Sequence, residues 1–360
     1  MHFDPYTSAA APDSVRLGPD TVMSLRFVTE RTTPRRRRTG DAMNTGPGPT
    51  PPTGWLNELE PIVEQQLQLH LENSQEWSPQ HYVPRNRRES LEGPPGGLPT
   101  APARRTLPSA VEASLIVNLL TEDNLPSYHH GIANSLGQDG AWATWVHRWT
   151  AEEERHADAL RSYLHATRAV DPIELERMRM YVIGAGPPAE QPQGLHSIAH
   201  VALQELATSI SHRNTGQQSG DPFCDSMVDR IATDENLHMV FYRGLLGASF
   251  DAWPDQTMRA LADTVTSFRM PGHTIPGFHR MSLAIAYSEI YSLRIHRDDV
   301  LKPLLRAVDA LHRSDLTPEG KRAQDELGTF LTALDTAVSS QEEKIQIHRQ
   351  RNLHSSEYPD

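Results

Sequence analysis

The sequence contains a single cysteine, Cys224. That excludes an intrachain disulfide framework and a cluster held by several thiolates, so any metal here must rely on His, Glu and Asp. No window approaches the roughly 18 unbroken apolar residues of a membrane span. Positive charge is in deficit, with a formal net charge of -12, which argues against a general nucleic-acid binder. Lysine is nearly absent, 3 residues against 31 arginines, a coding bias that carries no functional meaning. Runs of β-branched residues alternating with polar ones are also scarce, which removes the usual signal for sheet. A cytoplasmic protein without a membrane span or a nucleic-acid partner is expected.

Apolar residues at helical spacing, by contrast, fill most of the 360-residue chain. Residues 1 to about 53 are the exception. They mix TTPRRRRTG with GPGPTPPTG, lack sustained periodicity, and read as a disordered tail, with Met43 as an alternative start. From Trp55 onward, WLNELEPIVEQQLQLHLEN opens a single helical domain expected over residues 54–350. A Pro/Gly-rich loop follows, and long helices are predicted at about 109–136, 140–168, 194–215 and 222–248. Further helices are predicted at 252–268, 277–295, 298–313 and 317–350. The fold class is all-α.

The informative stretch is WTAEEERHADAL, residues 149–160. On a helical wheel centred on Trp149, Trp142, Trp145, Leu160 and Leu164 fall within about 60° of it. Glu153, at about +40°, and His156, at about -20°, share that apolar stripe, whereas Glu154, Arg155 and Asp158 point away and Glu152 sits at its margin. One Glu-x-x-His pair is weak evidence, because 24 Glu and 18 His give about one by chance. The second copy is what decides. Glu235 and His238 repeat the spacing on the side of a helix that also carries Val228, Ile231, Tyr242 and Leu246. Each pair is preceded by another inward carboxylate, Glu122 at 31 positions before Glu153 and Glu205 at 30 before Glu235. This is a duplicated helical hairpin. Four carboxylates buried together would cost several kcal/mol per ion unless protonated or neutralised by cations. Four Glu and two His projecting from four helices form the di-iron or di-manganese carboxylate site of a ferritin-like four-helix bundle core, here with additional helices.

With these positions in hand, the sequence resembles the soluble acyl-acyl-carrier-protein desaturases, of the plastid stearoyl type and especially their actinobacterial branch. The resemblance runs from about Leu56 to at least Phe278 and rests on WATWVHRWTAEEERH, LTEDNLPSY, QELATSISHRNT and ATDENLH. It implies that Glu122 and His156 are terminal ligands of one iron and Glu205 and His238 of the other, with Glu153 and Glu235 bridging. Thr208 matches a threonine beside the oxygen-binding face, although a threonine inside a helix also bonds its own backbone. Trp77 matches a tryptophan that relays electrons, and Asp234 would orient a ligand histidine or that tryptophan. His212 reads as a core or supporting residue. Asp123-Asn124 and Glu154 depart from the family pattern, none of them at a ligand position.

The implied chemistry is insertion of a cis double bond into a fatty acyl chain borne on acyl carrier protein, in fatty acid biosynthesis. It uses two iron ions, O2 as co-substrate and a ferredoxin-type electron donor, in an enzyme expected to be a homodimer. An arginine-rich patch would face the acidic carrier, with Arg85, Arg87 and Arg88 as candidates. The same ligands would also serve another di-iron oxygenase, such as a hydroxylase or N-oxygenase. An iron-storing or silent bundle is disfavoured by a chain about twice one four-helix bundle in length.

Overall fold

The structure is a computed structural model that describes residues 54–84, 106–137, 139–186 and 191–357. The expected tail, Met43 and the three candidate arginines, Arg85, Arg87 and Arg88, lie outside the described residues. Among those residues there is no strand, and the fold is a ferritin-like all-α bundle.

Helix α1 spans Trp55–Asn73, and a short 3-10 turn follows at Pro79–His81. The next helices are α2 (Ser109–Glu122), α3 (Leu125–Leu136), α4 (Gly140–Thr167) and α5 (Pro172–Gly184). Then come α6 (Leu195–Ser219), α7 (Pro222–Ala252), α8 (Pro254–Ser267) and α9 (Phe278–Tyr287). A short helical run at 293–307, its middle turn His296–Leu301 a π-helix, leads to α10 (Pro318–Glu357). Local chemistry sets several of these boundaries. Asp171 and Asp221 cap α5 and α7 by accepting from backbone N–H groups of the first turn, at 2.8 Å from Ile173 and 3.0 Å from Phe223. A proline follows each cap, where its missing N–H costs nothing and its fixed φ suits the helix. Gly220, at φ 63°, ends α6 in the left-handed conformation.

Helices α2, α4, α6 and α7 form a closed ring in which α2 packs on α4 and α6, and α7 packs on α4 and α6. Trp142, Trp145 and Trp149 all turn into the core from α4. Outside the ring, α1 lies against α4 and α7, α9 against α2, and α8 against α6 and α10.

Three predicted helices are shorter or more broken than expected. The 109–136 segment splits at Asp123–Asn124, because Pro126 has no N–H for a continuous helix and disfavours helical backbone before it. The 277–295 segment stops at Tyr287, beyond which Glu289 takes a φ of 57°. The 298–313 segment begins as a π turn and ends at Ala307.

Candidate metal centre

The ring of helices turns the inward acids and imidazoles toward one another. Glu122 is the last residue of α2, Glu153 and His156 lie one turn apart on α4, Glu205 is on α6, and Glu235 and His238 lie one turn apart on α7. All six are buried. One donor atom each from Glu122, Glu153, His156 and Glu235 lie within 4.8 Å of one another. So do donor atoms from Glu153, Glu205, Glu235 and His238. The two sets share Glu153 and Glu235. The end of α2 that carries Glu122 is pinned on both sides: Tyr128 donates to the Glu122 carbonyl at 3.0 Å, and Asp123 pairs with Arg161 of α4 and Arg179 of α5.

The imidazoles are oriented alike. His156 and His238 each present Nδ1 to the carboxylates, His156 3.5 Å from Glu235 Oε1 and His238 3.0 Å from Glu153 Oε1. Neither Nδ1 makes an aligned hydrogen bond, and neither does Glu153 Oε1. Buried polar atoms left unaligned in this way are costly unless something else binds them. Their lone pairs converge with those of the carboxylates on shared space, a donor set of oxygen and nitrogen without sulfur. Two divalent ions would also balance the four carboxylate charges. The residues present therefore fit a pair of metal ions.

The electrostatics carry the same signature. Burial and the neighbouring Glu235, Glu122 and Glu205 push the Glu153 carboxyl well above its ordinary range. Burial and Glu235 do the same to Glu205. Burial alone would raise Glu235, but hydrogen bonds from Glu205, His156 and His238 outweigh it and hold this carboxyl well down. Burial alone would lower His156, yet the carboxylates of Asp234 and Glu235 lift it to about 9. Groups in both halves of the cluster thus hold protons that a metal would displace.

A pH dependence follows. Groups whose folded pKa is raised stabilise the fold fully below their unfolded value and lose that contribution as pH climbs through the folded one. For His156 the window is 6.5 to about 9, and Glu153 and Glu205 act in the same direction from 4.5 upward. The metal-free protein is expected to melt at progressively lower temperature across that range, as read by calorimetry. Iron binding should be accompanied by proton release and should flatten the decline. A metal-free melting temperature that rises with pH would contradict it.

The remaining predicted site residues fall around this core. Trp77 Nε1 donates to Asp234 Oδ2 at 2.7 Å, and the same oxygen lies 3.3 Å from His156 Nε2. The Trp77 ring is near-parallel to His156, 13° between planes and 6.2 Å between centroids. Asp234 is further paired with Arg155 and Arg230. Hydrogen bonds from His156 and Trp77 and the charge of Arg230 overcome the effect of burial and hold its carboxyl at about 2. Arg155, expected to point away, instead lays its guanidinium over Trp77 at 4.6 Å. The Thr208 hydroxyl donates to the backbone carbonyls of Gln204 and Glu205, both at 3.1 Å. His212 is buried between Asn118 and Glu122, 3.4 Å from Glu122 Oε1.

Two supporting residues were missed in the sequence. Glu152, placed at the margin of the stripe, is buried, with Oε2 2.9 Å from His238 Nε2 and 3.0 Å from His70 Nε2. Burial would raise its carboxyl, but the two histidines more than reverse this and hold it far below the ordinary range. Aligning the two motifs would have found it, since Glu152 stands where Asp234 stands in the second copy. His70 continues the inward stripe of Trp55, Leu59 and Val63 on α1.

A cavity of about 1060 Å³ adjoins the cluster. Glu122 and Thr208 lie in its wall, and Val117, Phe268, Phe278, Leu283 and Ala286 line it as it passes between α2 and α9. Thr332, Thr336 and Lys344 of α10 line it too and are exposed, so the cavity reaches the surface there.

Comparison with known proteins gives consistent results. A sequence model of the fatty acid desaturase family matches residues 53–357. DesA1 of Mycobacterium tuberculosis, assigned by its name as an acyl-acyl-carrier-protein desaturase, is 42% identical over 306 residues, covering 83% of this chain and 89% of its own. The chloroplastic palmitoyl-acyl-carrier-protein 4-desaturase 3 of Ophrys sphegodes is 29% identical over 295 residues, covering 77% of this chain and 73% of its own. Among solved structures, DesA2 of M. tuberculosis superposes with a TM-score of 0.60 at 26% identity, over 75% of this chain and 99% of that one.

Proposed function

We propose that this chain, which belongs to the fatty acid desaturase family in its acyl-acyl-carrier-protein branch, introduces a double bond into a fatty acyl chain carried on acyl carrier protein. The observation that supports this most strongly is the junction of two features. Donor groups sufficient for two metal ions meet inside the bundle, and a largely apolar cavity of about 1060 Å³ leads from Glu122 and Thr208 to the surface.

On this reading Glu122 and His156 hold one iron ion, Glu205 and His238 hold the other, and Glu153 and Glu235 serve both. When bound, the iron pair would supply the O2-dependent oxidation: two hydrogens leave adjacent methylenes, and with two electrons and two protons from outside they reduce O2 to two waters. The chain's own part is positioning and exclusion of water. The aromatic and aliphatic wall holds the acyl chain so that one pair of methylenes lies beside the cluster, a restriction that lowers the entropic share of the barrier. The same wall keeps water from the oxidising centre. Asp234 accepts from Trp77 and lies against the Nε2 edge of His156, which links the Trp77 side of the protein to the cluster through two short contacts. Trp77 is the proposed entry point for electrons, delivered by a ferredoxin-type donor.

The direct test is product analysis. The iron-loaded protein would be incubated with acyl-carrier proteins bearing chains of several lengths, ferredoxin, reductase and O2, and any product examined by mass spectrometry. A chain lighter by two hydrogens, with one located double bond, is expected. Insertion of an oxygen atom would assign the site to hydroxylation instead, and full iron loading without any oxidised product would refute an oxidative role.

A further inference from the structure

Each Glu-x-x-His motif is immediately preceded by an acid, and the fold uses these two acids crosswise. Asp234, on α7, reaches His156 of α4 at Nε2. Glu152, on α4, reaches His238 of α7, also at Nε2, at 2.9 Å. In both cases the contact leaves Nδ1 turned toward the carboxylate cluster. We infer that Glu152 is the positioning residue for the Glu205–His238 half of the centre, the counterpart of Asp234 in the other half, and that His70 holds it in place. The inference rests on the metal reading given under Proposed function.

The geometry gives Glu152 little freedom to do otherwise. An ionised carboxylate only accepts hydrogen bonds, so its oxygen at His238 Nε2 selects the imidazole tautomer whose Nδ1 carries a free lone pair. Its two oxygens divide their partners. Oε2 pairs with His238 Nε2 and lies 3.0 Å from His70 Nε2, while Oε1 takes the Arg148 Nε–H at 2.6 Å. The plane of His70 is set in turn by Trp145, edge-on at 5.0 Å between centroids. Carboxylates that accept from a ligand histidine orient the ring and raise its basicity, and losing one typically weakens metal binding 10–100-fold. Helix α1 thereby gains a role at the centre. This helix lies outside the ring of four, yet with the segment after it the chain supports both halves of the centre: His70 through Glu152, and Trp77 through Asp234.

Anaerobic titration of the full-length metal-free protein with Co(II), followed by its visible absorption and by calorimetry, tests this. Wild type is expected to bind two ions. Glu152→Ala should keep one tight ion and bind the second roughly 10–100-fold more weakly. Glu152→Gln keeps both the volume and a carbonyl oxygen for His238 Nε2 and should recover most of that loss, whereas Glu152→Met, which fills the space without an acceptor, should not. His70→Ala should weaken the same ion by a smaller factor. Combined with His238→Ala, Glu152→Ala should cost nothing more, whereas with His156→Ala the two losses should add. Circular dichroism identifies folded variants, and if Glu152→Ala fails to fold, the Gln and His70→Ala variants carry the test.

Two ions bound at wild-type affinity by Glu152→Ala, or losses that add to those of His238→Ala, would overturn the inference while leaving the metal reading intact. In the variants that carry the test alone, Glu152→Gln binding the second ion as weakly as expected for Ala, or His70→Ala binding both ions as wild type does, would overturn it too. A wild-type protein that binds no pair of ions would overturn the metal reading itself.

Discussion

Glu235→Ala is expected to abolish stable binding of the metal pair. Glu235 contributes a donor atom to each of the two clusters, and its separate oxygens lie 3.5 Å from His156 Nδ1 and 3.7 Å from His238 Nδ1. No single replacement among the terminal groups would touch both halves. The variant leaves Glu153 as the only shared carboxylate, removes one of the four charges that offset two divalent ions, and opens space in the bundle. Affinity should therefore fall by much more than the roughly 10–100-fold attached to an outer partner. Iron per chain, measured after anaerobic loading and desalting, should drop from two to well below one, and product formation should fall with it. Glu235 is the carboxylate that its hydrogen-bond partners hold well down. The metal-free variant, which strands those partners and leaves a cavity, should therefore also melt lower than metal-free wild type, and loading is to be compared well below that temperature. Unchanged iron stoichiometry would refute the assignment.

The second large effect concerns the cavity and leaves the metal untouched. Ala286 is buried on α9 and lines the passage, and a tryptophan there would project into the space assigned to the acyl chain. Misplacement of reacting atoms by about 1 Å can cost a hundredfold in rate. Ala286→Trp is accordingly expected to bind two iron ions normally and to lose at least about a hundredfold in turnover of carrier-bound acyl chains. Overpacking carries a stability penalty of roughly 1–3 kcal/mol, so the comparison is to be made well below the melting temperature. A folded, iron-loaded variant that turns over every chain length at the wild-type rate would show that the cavity is not the substrate channel.

Much of the metal centre and its helices is legible in the sequence. The ring of four helices was legible because each carries an apolar stripe at period 3.6 interrupted by an acid, and because the interruption recurs at nearly equal distance. Six side chains from α2, α4, α6 and α7 meet where that pattern says they should. Glu152 escaped because a wheel places a residue by angle alone. It lies at the edge of the stripe, and only the approach of α1 and α7 turns that edge into interior. Arg155 escaped for a related reason: its charged head is on the outer side of α4, but the segment carrying Trp77 folds over it. Helix boundaries at Asp123 and Tyr287 were missed because apolar periodicity continues across them, whereas backbone hydrogen bonding does not. The cavity could not be read at all, since it depends on how α9 and α10 are placed around α2, a tertiary arrangement that no local pattern encodes.

The most direct measurement is X-ray diffraction from crystals of the iron-loaded protein, recorded above and below the iron absorption edge. The account predicts two anomalous peaks inside the ring of α2, α4, α6 and α7, one beside Glu122 and His156, the other beside Glu205 and His238, with Glu153 and Glu235 in reach of both. A single peak, a peak elsewhere, or none in crystals shown to contain iron would contradict it.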